Sequence, residues 1–108
     1  MKTIYEILAE GYGYEVMFFI TDTEKTEATI KSIEKFITDN NGEIHRTTCW
    51  KRMYISYTYG DYVLITFTAP EETAKKLKHV LRVNEFLKTN SIYVLYEDSY
   101  GGFNYEEL

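Results

Sequence analysis

The segment best suited to chemistry in this chain is a basic and aromatic stretch between residues 44 and 57. It contains His45, Arg46, Lys51 and Arg52 and no aspartate or glutamate. Basic side chains bind phosphates, and aromatic rings set among them can stack on unpaired bases. The same composition is also typical of an exposed edge strand whose charges oppose aggregation. The residues alone leave both interpretations open and favour the edge strand.

The candidate nucleic-acid contacts within this stretch are Arg46, Trp50, Lys51, Arg52 and Tyr57. Side chains alternate between the two faces of a regular strand. The residues that such a strand would place on one face are Arg46, Thr48, Trp50, Arg52 and Tyr54. A β-bulge near Trp50 would break this alternation.

A second basic group lies on a predicted helix further along the chain. It consists of Lys75, Lys76, Lys78 and Arg82, with His79 among them. Charges at this spacing usually form a solvated helix face, and we expect His79 to lie at the surface. Contact of the four basic residues with RNA or with a partner is the secondary hypothesis.

The chain offers little to a catalytic or metal site. Cys49 and His45 could be imagined as a nucleophile and its base, but no third group nearby would orient the base. We therefore expect Cys49 to be structural. One cysteine and two histidines are too few for a metal site without suitably spaced carboxylates. No phosphate-binding loop, dinucleotide fingerprint or catalytic triad is present. The sequence predicts a non-enzymatic protein with no cofactor, metal or small-molecule substrate.

Charge and composition limit the possible partners. The 108 residues suit one domain, and the net charge of −5 argues against non-specific nucleic-acid binding. Any RNA contact must be local or shared with a basic partner. The single cysteine suits a reducing compartment. No stretch approaches the ~20 apolar residues of a membrane span, and the N-terminus is a poor signal or transit peptide.

The elements that position these residues follow the order strand, helix, strand, strand, helix, strand. Apolar and aromatic runs predict strands over 14–21, 43–57, 62–67 and 92–96, with a turn at 59–61. Asp22 offers an N-cap to the first helix, and Pro70 begins the second. This order predicts an α+β, ferredoxin-like sandwich, in which a four-stranded antiparallel sheet carries two helices on one face.

The domain is predicted over residues 14–96, between an N-terminal extension at 1–13 and an acidic, aromatic tail at 97–108. Alternate strand residues and the apolar helix stripes should supply its core. The predicted core residues are Val16, Phe18, Ile20, Ile33, Phe36, Ile37, Val63, Ile65, Leu77, Leu81, Ile92 and Val94.

Several short segments, taken in order, resemble the ribosomal protein S-six family of the bacterial-type small subunit. The resemblance spans about residues 14–96 and rests on the order and spacing of the segments rather than on any one of them. The matching segments are Tyr14-Glu15-Val16-Met17-Phe18-Phe19-Ile20, Asn41-Gly42-Glu43-Ile44, Trp50, Ile55-Ser56-Tyr57, Gly60-Asp61-Tyr62-Val63-Leu64, Ala69-Pro70-Glu71 and Leu81-Arg82-Val83-Asn84-Glu85.

The resemblance implies a structural role in the small ribosomal subunit. Family members bind small-subunit ribosomal RNA as a pair with ribosomal protein S-eighteen, and a basic partner would explain how an acidic chain joins an RNA particle. Lys51 stands where the family has Gly, Thr58 where it has Pro, and the loop between the middle strands is shorter. These departures suggest a divergent lineage, so the ribosome is expected in a bacterial cytoplasm or an organelle, with a mitochondrion favoured over a plastid.

Two other classes share the predicted topology. A regulatory or protein-interaction module without RNA is the alternative function, although a ligand-sensing module would favour Gly-rich strand-to-helix loops that residues 21–24 lack. A small acyl-phosphate hydrolase would need an Arg in that loop. Asp22 and Glu24 stand there instead and would repel phosphate.

Overall fold

The computed structural model describes residues 13–84, 87–97, 100 and 102–108. The extension predicted at 1–13 therefore lies outside the described residues, except for Gly13. The elements are β1 (Gly13–Ile20), a 3-10 turn (Thr23–Lys25), α1 (Thr26–Asp39), β2 (Glu43–Ile55), β3 (Thr58–Thr68), α2 (Glu71–Val83), β4 (Leu87–Glu97) and β5 (Phe103–Glu107).

Strand β1 lies at the centre of the sheet and contributes four alternate residues to the core, namely Tyr14, Val16, Phe18 and Ile20. It pairs antiparallel with β3 on one side and with β4 on the other. The described sheet has the order β2-β3-β1-β4-β5. Helices α1 and α2 supply residues to the same core cluster as β1, β3 and β4. The ferredoxin-like α+β architecture predicted from the sequence is confirmed.

The core lies between the helices and one face of the sheet. The register places Val16 opposite both Ile65 and Ile92, and all three are buried. Of the twelve predicted core residues, ten are buried, while Phe36 and Val94 are half-buried and packed against the cluster. Residues buried in the core but absent from the prediction are Tyr14, Phe67, Ala74 and Leu87.

The sheet has five described strands rather than the predicted four. Residues 103–107, in the predicted acidic tail, pair antiparallel with residues 93–97 of β4. Leu108 then donates its backbone N–H to the carbonyl of Ile92 at 2.8 Å and packs against the core. Lys78 of α2 also donates to the carbonyl of Leu108. The acidic composition concealed this strand because its attachment depends on backbone pairing with β4, which composition does not reveal.

Two local predictions near the first helix and the hairpin are wrong. Asp22 forms no side-chain capping hydrogen bond, and a 3-10 turn precedes α1. The hairpin turn falls at Ser56 and Tyr57, so the predicted turn at 59–61 belongs to β3. Gly60 serves close packing instead, because a Cβ there would lie 2.5 Å from the Ile20 carbonyl oxygen.

Candidate nucleic-acid interface

Strand β2 carries the basic stretch along one edge of the described sheet. Its pairing with β3 is interrupted twice. His45 is an extra residue between the pairs Ile44–Phe67 and Arg46–Thr66. The second interruption lies between Trp50 and Met53, where Lys51 and Arg52 both stand opposite Asp61. Such bulges bend a strand and redirect the side chains that follow.

The second bulge changes which residues share a face of β2. Residues directly opposite each other in an antiparallel pair lie on the same face. Arg46, Thr48 and Trp50 lie opposite Thr66, Leu64 and Tyr62, on the face away from the helices. Beyond the bulge, Met53 opposite Gly60 continues that face, and Tyr54 moves to the other one. The regular alternation that would group Arg52 and Tyr54 with Trp50 is therefore broken.

A buried carboxylate holds the bulge in place. Asp61 is only 3% exposed. Its Oδ1 accepts a hydrogen bond from the backbone N–H of Arg52 at 3.1 Å. Its Oδ2 accepts from the hydroxyl of Thr26, the first residue of α1, at 2.7 Å. Arg52 has a φ of 56°, in the left-handed region that non-glycine residues rarely adopt. Asp61 thus fastens an unusual backbone conformation to the helix layer.

Beyond this point the β2–β3 hairpin extends past the central strand. The last residue of β1 with a partner on β3 is Ile20, opposite Asp61. We call the part beyond, residues 51–60, the hairpin arm. Its residues are exposed to solvent except Ile55, which is half-buried, and Gly60, which is buried. The arm is a two-stranded ribbon whose surface is free to meet a partner.

Three tyrosines cover one part of the hairpin arm. We call Tyr54, Tyr57 and Tyr59 the arm tyrosines. The ring centroids of Tyr54 and Tyr59, which are cross-strand partners, lie 4.6 Å apart at an interplanar angle of 38°. The ring of Tyr57 meets that of Tyr54 edge-on, with centroids 6.4 Å apart. Tyr57 is among the contacts predicted from the sequence, whereas Tyr59 was predicted to lie in a turn. Only the cross-strand register brings the three rings together.

The cations of the arm are electrostatically available. Lys51 and Arg52 are exposed, and their side chains form no ion pair within the described part of the chain. No Asp or Glu occurs between residues 44 and 60. Asp61 follows directly, but it is buried and its two oxygens are engaged. The arm therefore presents positive charge on an otherwise acidic chain.

Arg46 and Trp50 lie nearer the centre of the sheet, in different surroundings. Arg46, Thr66 and Glu15 occupy neighbouring strands in one cross-strand row. Burial raises the pKa of the Glu15 carboxyl above its ordinary value, and the charge of Arg46 partly opposes that rise. The Trp50 ring packs against Tyr62, with centroids 5.5 Å apart. Trp50 is thus partly engaged within the sheet.

The second basic group, on α2, is largely paired. Lys75 and Lys76 form ion pairs with Glu71 and Glu72, four residues earlier, at 3.4 and 3.3 Å. Lys78 is bonded to the carbonyl of Leu108. Exposed pairs of this kind are weak, but they reduce the net charge of the surface. Arg82 is exposed and lines a cavity of about 360 Å³ that includes Lys78 and Glu107.

The remaining candidates show no arrangement for catalysis. Burial and the nearby Asp61 carboxylate raise the pKa of the Cys49 thiol, while Lys51 partly opposes the rise. A thiol with a raised pKa is a poor nucleophile at neutral pH. His45 Nε2 lies 2.9 Å from the hydroxyl of Thr68, and His79 is exposed on α2. Among the described residues, no three His, Cys, Asp or Glu side chains are grouped to hold a metal ion.

Neither described helix is long and apolar enough to cross a membrane.

Known proteins of the small ribosomal subunit are similar to this chain in sequence. The family model for Ribosomal protein S6, the S-six family, matches residues 13–92. The small ribosomal subunit protein bS6 of Moorella thermoacetica is 38% identical over 81 residues, which cover 68% of this chain and 83% of that protein. The bS6 protein of Pseudarthrobacter chlorophenolicus is 36% identical over 88 residues, covering 73% and 86% respectively.

A solved structure supports the architecture independently of sequence. The crystal structure of 30S ribosomal protein S6 from Thermotoga maritima matches with a TM-score of 0.64, over 76% of this chain and 85% of that one. At 23% identity, this likeness concerns the fold. The family model and the similar bS6 proteins show more than the fold. The chain belongs to the ribosomal protein S6 family, and it is a structural protein of the small ribosomal subunit rather than an enzyme.

Proposed function

We propose that this protein binds small-subunit ribosomal RNA as a pair with a basic partner resembling ribosomal protein S-eighteen. The RNA-facing surface is the hairpin arm with the adjoining part of β2. Its contact residues are Arg46, Trp50, Lys51, Arg52 and Tyr57. The observation that supports this most is the exposure of Lys51 and Arg52, with no ion pair, in a stretch free of acids from 44 to 60.

The overall charge explains why a partner is needed. A net charge of −5 repels the phosphate backbone at long range. Salt limits that repulsion to distances of about 8 Å under physiological conditions, so a local cationic surface can still bind once it is delivered. A basic partner supplies the attraction that brings the pair to the RNA. The arm then adds short-range contacts and register.

The two basic groups should contribute unequally. Lys51 and Arg52 can meet phosphates without breaking an existing ion pair. Lys75 and Lys76 already form ion pairs with Glu71 and Glu72, which compete with phosphate contacts. The α2 surface of Lys75, Lys76, Lys78 and Arg82 is therefore a secondary contact with RNA or with the partner.

The matched charge reversals Lys51→Glu with Arg52→Glu, and Lys75→Glu with Lys76→Glu, test this ranking. Both change the net charge equally, so a difference between them reports position. Filter binding of the purified pair to small-subunit ribosomal RNA, across a salt series, gives affinity and salt slope. The arm variant should bind more weakly, and its slope should be shallower by about 0.9 for each duplex phosphate contact removed, or by about 0.7 for each contact with a single strand. The α2 variant should change less.

The outcome that contradicts the proposal is an unchanged affinity and slope in the arm variant. The RNA-facing surface would then lie elsewhere, with α2 the next candidate. Free protein should bind the same RNA poorly, and addition of the partner should raise the affinity strongly. Equal binding with and without the partner would remove the partner from the proposal.

We place the ribosome in a bacterial cytoplasm. The bacterial sources of the matching relatives support this placement. The family departures at Lys51 and Thr58 need no organellar lineage, because both fall in the hairpin arm. Its two-residue turn at Ser56 and Tyr57 accounts for the shorter loop. Sedimentation of bacterial lysate should place the protein in the small-subunit peak, and its presence only as a free small protein would contradict the proposal.

A further inference from the structure

We infer that the arm tyrosines form a stacking platform for unpaired RNA nucleotides, with Lys51 and Arg52 holding the adjoining phosphates. This inference rests on the proposed RNA-binding function and gives it a ligand class, namely single-stranded rather than duplex RNA. It also adds Tyr54 and Tyr59 to the site. Tyr54 is one of the rings in the basic stretch 44–57 whose composition predicted base stacking, whereas Tyr59 lies outside that stretch.

Exposure sets these rings apart from the aromatic side chains of the core. Tyr54, Tyr57 and Tyr59 are 55%, 92% and 68% exposed. Tyr14 and Phe67 are also a stacked pair, but both are buried in the core. Clustered, exposed aromatic surface commonly marks an interaction site. The arm tyrosines contribute little to the core and are available to a ligand.

The backbone conformation at the tip of the hairpin arm also supports a functional use of Tyr57. Ser56 and Tyr57 have φ values of 51° and 65°, so both central residues of the turn are left-handed. Turns with two such residues strongly favour Asn-Gly, because a side chain with a Cβ is strained there. Strained residues persist where their side chain has another use. A bulky ring therefore stands at a tip position where glycine would be less strained.

Charge favours RNA over an acidic or neutral protein surface. Lys51 and Arg52 belong to the same hairpin arm as the rings, and the stretch 44–60 contains no carboxylate. Stacking and phosphate contacts are the two components of single-strand recognition. Duplex bases are stacked on one another and the deep A-form groove is closed to side chains, so exposed rings can reach only splayed-out nucleotides.

Titration of the full chain with an unpaired oligouridylate of about ten nucleotides, a typical single-strand site size, tests the inference. The matched probe is a G- and C-rich RNA duplex of the same length, which stays paired at low salt. NMR at low salt follows the tyrosine ring protons. The single strand should shift the ring signals of Tyr54, Tyr57 and Tyr59 upfield, and the duplex should leave them nearly unchanged. The internal control is Tyr100, which is 96% exposed but lies outside the arm.

Variants separate stacking from structure. Tyr54→Leu with Tyr59→Leu should weaken single-strand binding by about 5- to 150-fold for each base that loses its ring. The corresponding Phe variants keep the ring faces and should retain the affinity. Tyr100→Leu should have no effect. Because the arm lies outside the core, all variants should unfold at nearly the wild-type denaturant midpoint.

Unmoved arm signals, equal shifts by the duplex, or Leu variants that bind like the wild type would each overturn the inference. The proposed function would survive these results if the double variant Lys51→Glu, Arg52→Glu still bound ribosomal RNA more weakly than the wild type. Conversely, unaltered binding of that charge variant would contradict the proposed function while leaving the stacking result standing. Leu variants that lose the protein partner but keep the oligonucleotide would assign the rings to a protein contact instead.

Discussion

Removing the Asp61 carboxylate should destabilise the fold and release the bulge that shapes the hairpin arm. Asp61→Ala takes the acceptor from two donors, the Thr26 hydroxyl and the Arg52 backbone N–H. Thr26 is buried, so its unpaired hydroxyl should cost about 1–3 kcal/mol. Arg52 is exposed, and water can replace part of its bond, which leaves about 0.5–1.5 kcal/mol. The total loss of unfolding free energy should be about 1.5–4.5 kcal/mol.

Asp61→Asn is the matched control because it preserves shape. Its amide oxygen can still accept from the Arg52 N–H, and its amide nitrogen can donate to the Thr26 hydroxyl. The Asn variant should therefore lose only about 1 kcal/mol, the net value of a typical hydrogen bond. Urea titration measures both variants, and amide exchange at Arg52 reports the bulge directly. That exchange should accelerate in the Ala variant more than in the Asn variant.

A double-mutant cycle with Thr26→Val isolates the interaction between β3 and α1. Two residues in one hydrogen bond should show a coupling free energy of about 0.5–3 kcal/mol. A loss below about 0.5 kcal/mol for Asp61→Ala, which is the range of neutral surface substitutions, would refute the assigned role. RNA binding by the pair should also weaken in the Ala variant, because Asp61 positions Arg52 without itself reaching the surface.

Other perturbations test the turn, the sheet and the core. Ser56→Asn with Tyr57→Gly should raise the free energy of unfolding by about 1–2 kcal/mol in thermal or urea denaturation, because two left-handed positions receive residues that tolerate them. The same variant should bind single-stranded RNA more weakly. A loss of stability would show that the turn is not strained. Burial raises the Glu15 pKa, so the folded state binds its proton more tightly and wild-type stability should fall as pH rises above 4.5. Glu15→Gln should remove that fall and be at least as stable as the wild type at neutral pH. Urea titrations of both proteins on either side of pH 4.5 test this, and the same change of stability with pH in both would contradict it. Leu77→Ala should cost about 2–5 kcal/mol in urea, since the side chain is fully buried; a cost below about 0.5 kcal/mol would mean that the side chain is not packed as described.

The sequence alone determined the fold class, because local periodicity records which side chains are buried. The apolar run at residues 14–20 indicates a central strand, and the spacing of Ala74, Leu77 and Leu81 indicates one buried helix face. The order of these elements allowed only a few topologies, and the ferredoxin-like arrangement was among them. The basic, acid-free stretch could also be identified from the sequence, because composition does not depend on the fold.

Tertiary structure decided the shape of the candidate site. The bond from Thr26 to Asp61 joins residues 35 positions apart, and no local pattern announces it. A bulge shifts pairing by one residue, so the faces assigned by simple alternation fail beyond Trp50. Gly60 indicates a turn in sequence but serves a close approach to Ile20 in space. The arm tyrosines likewise become one cluster only through cross-strand register, because contacts between strands depend on pairing that periodicity does not encode.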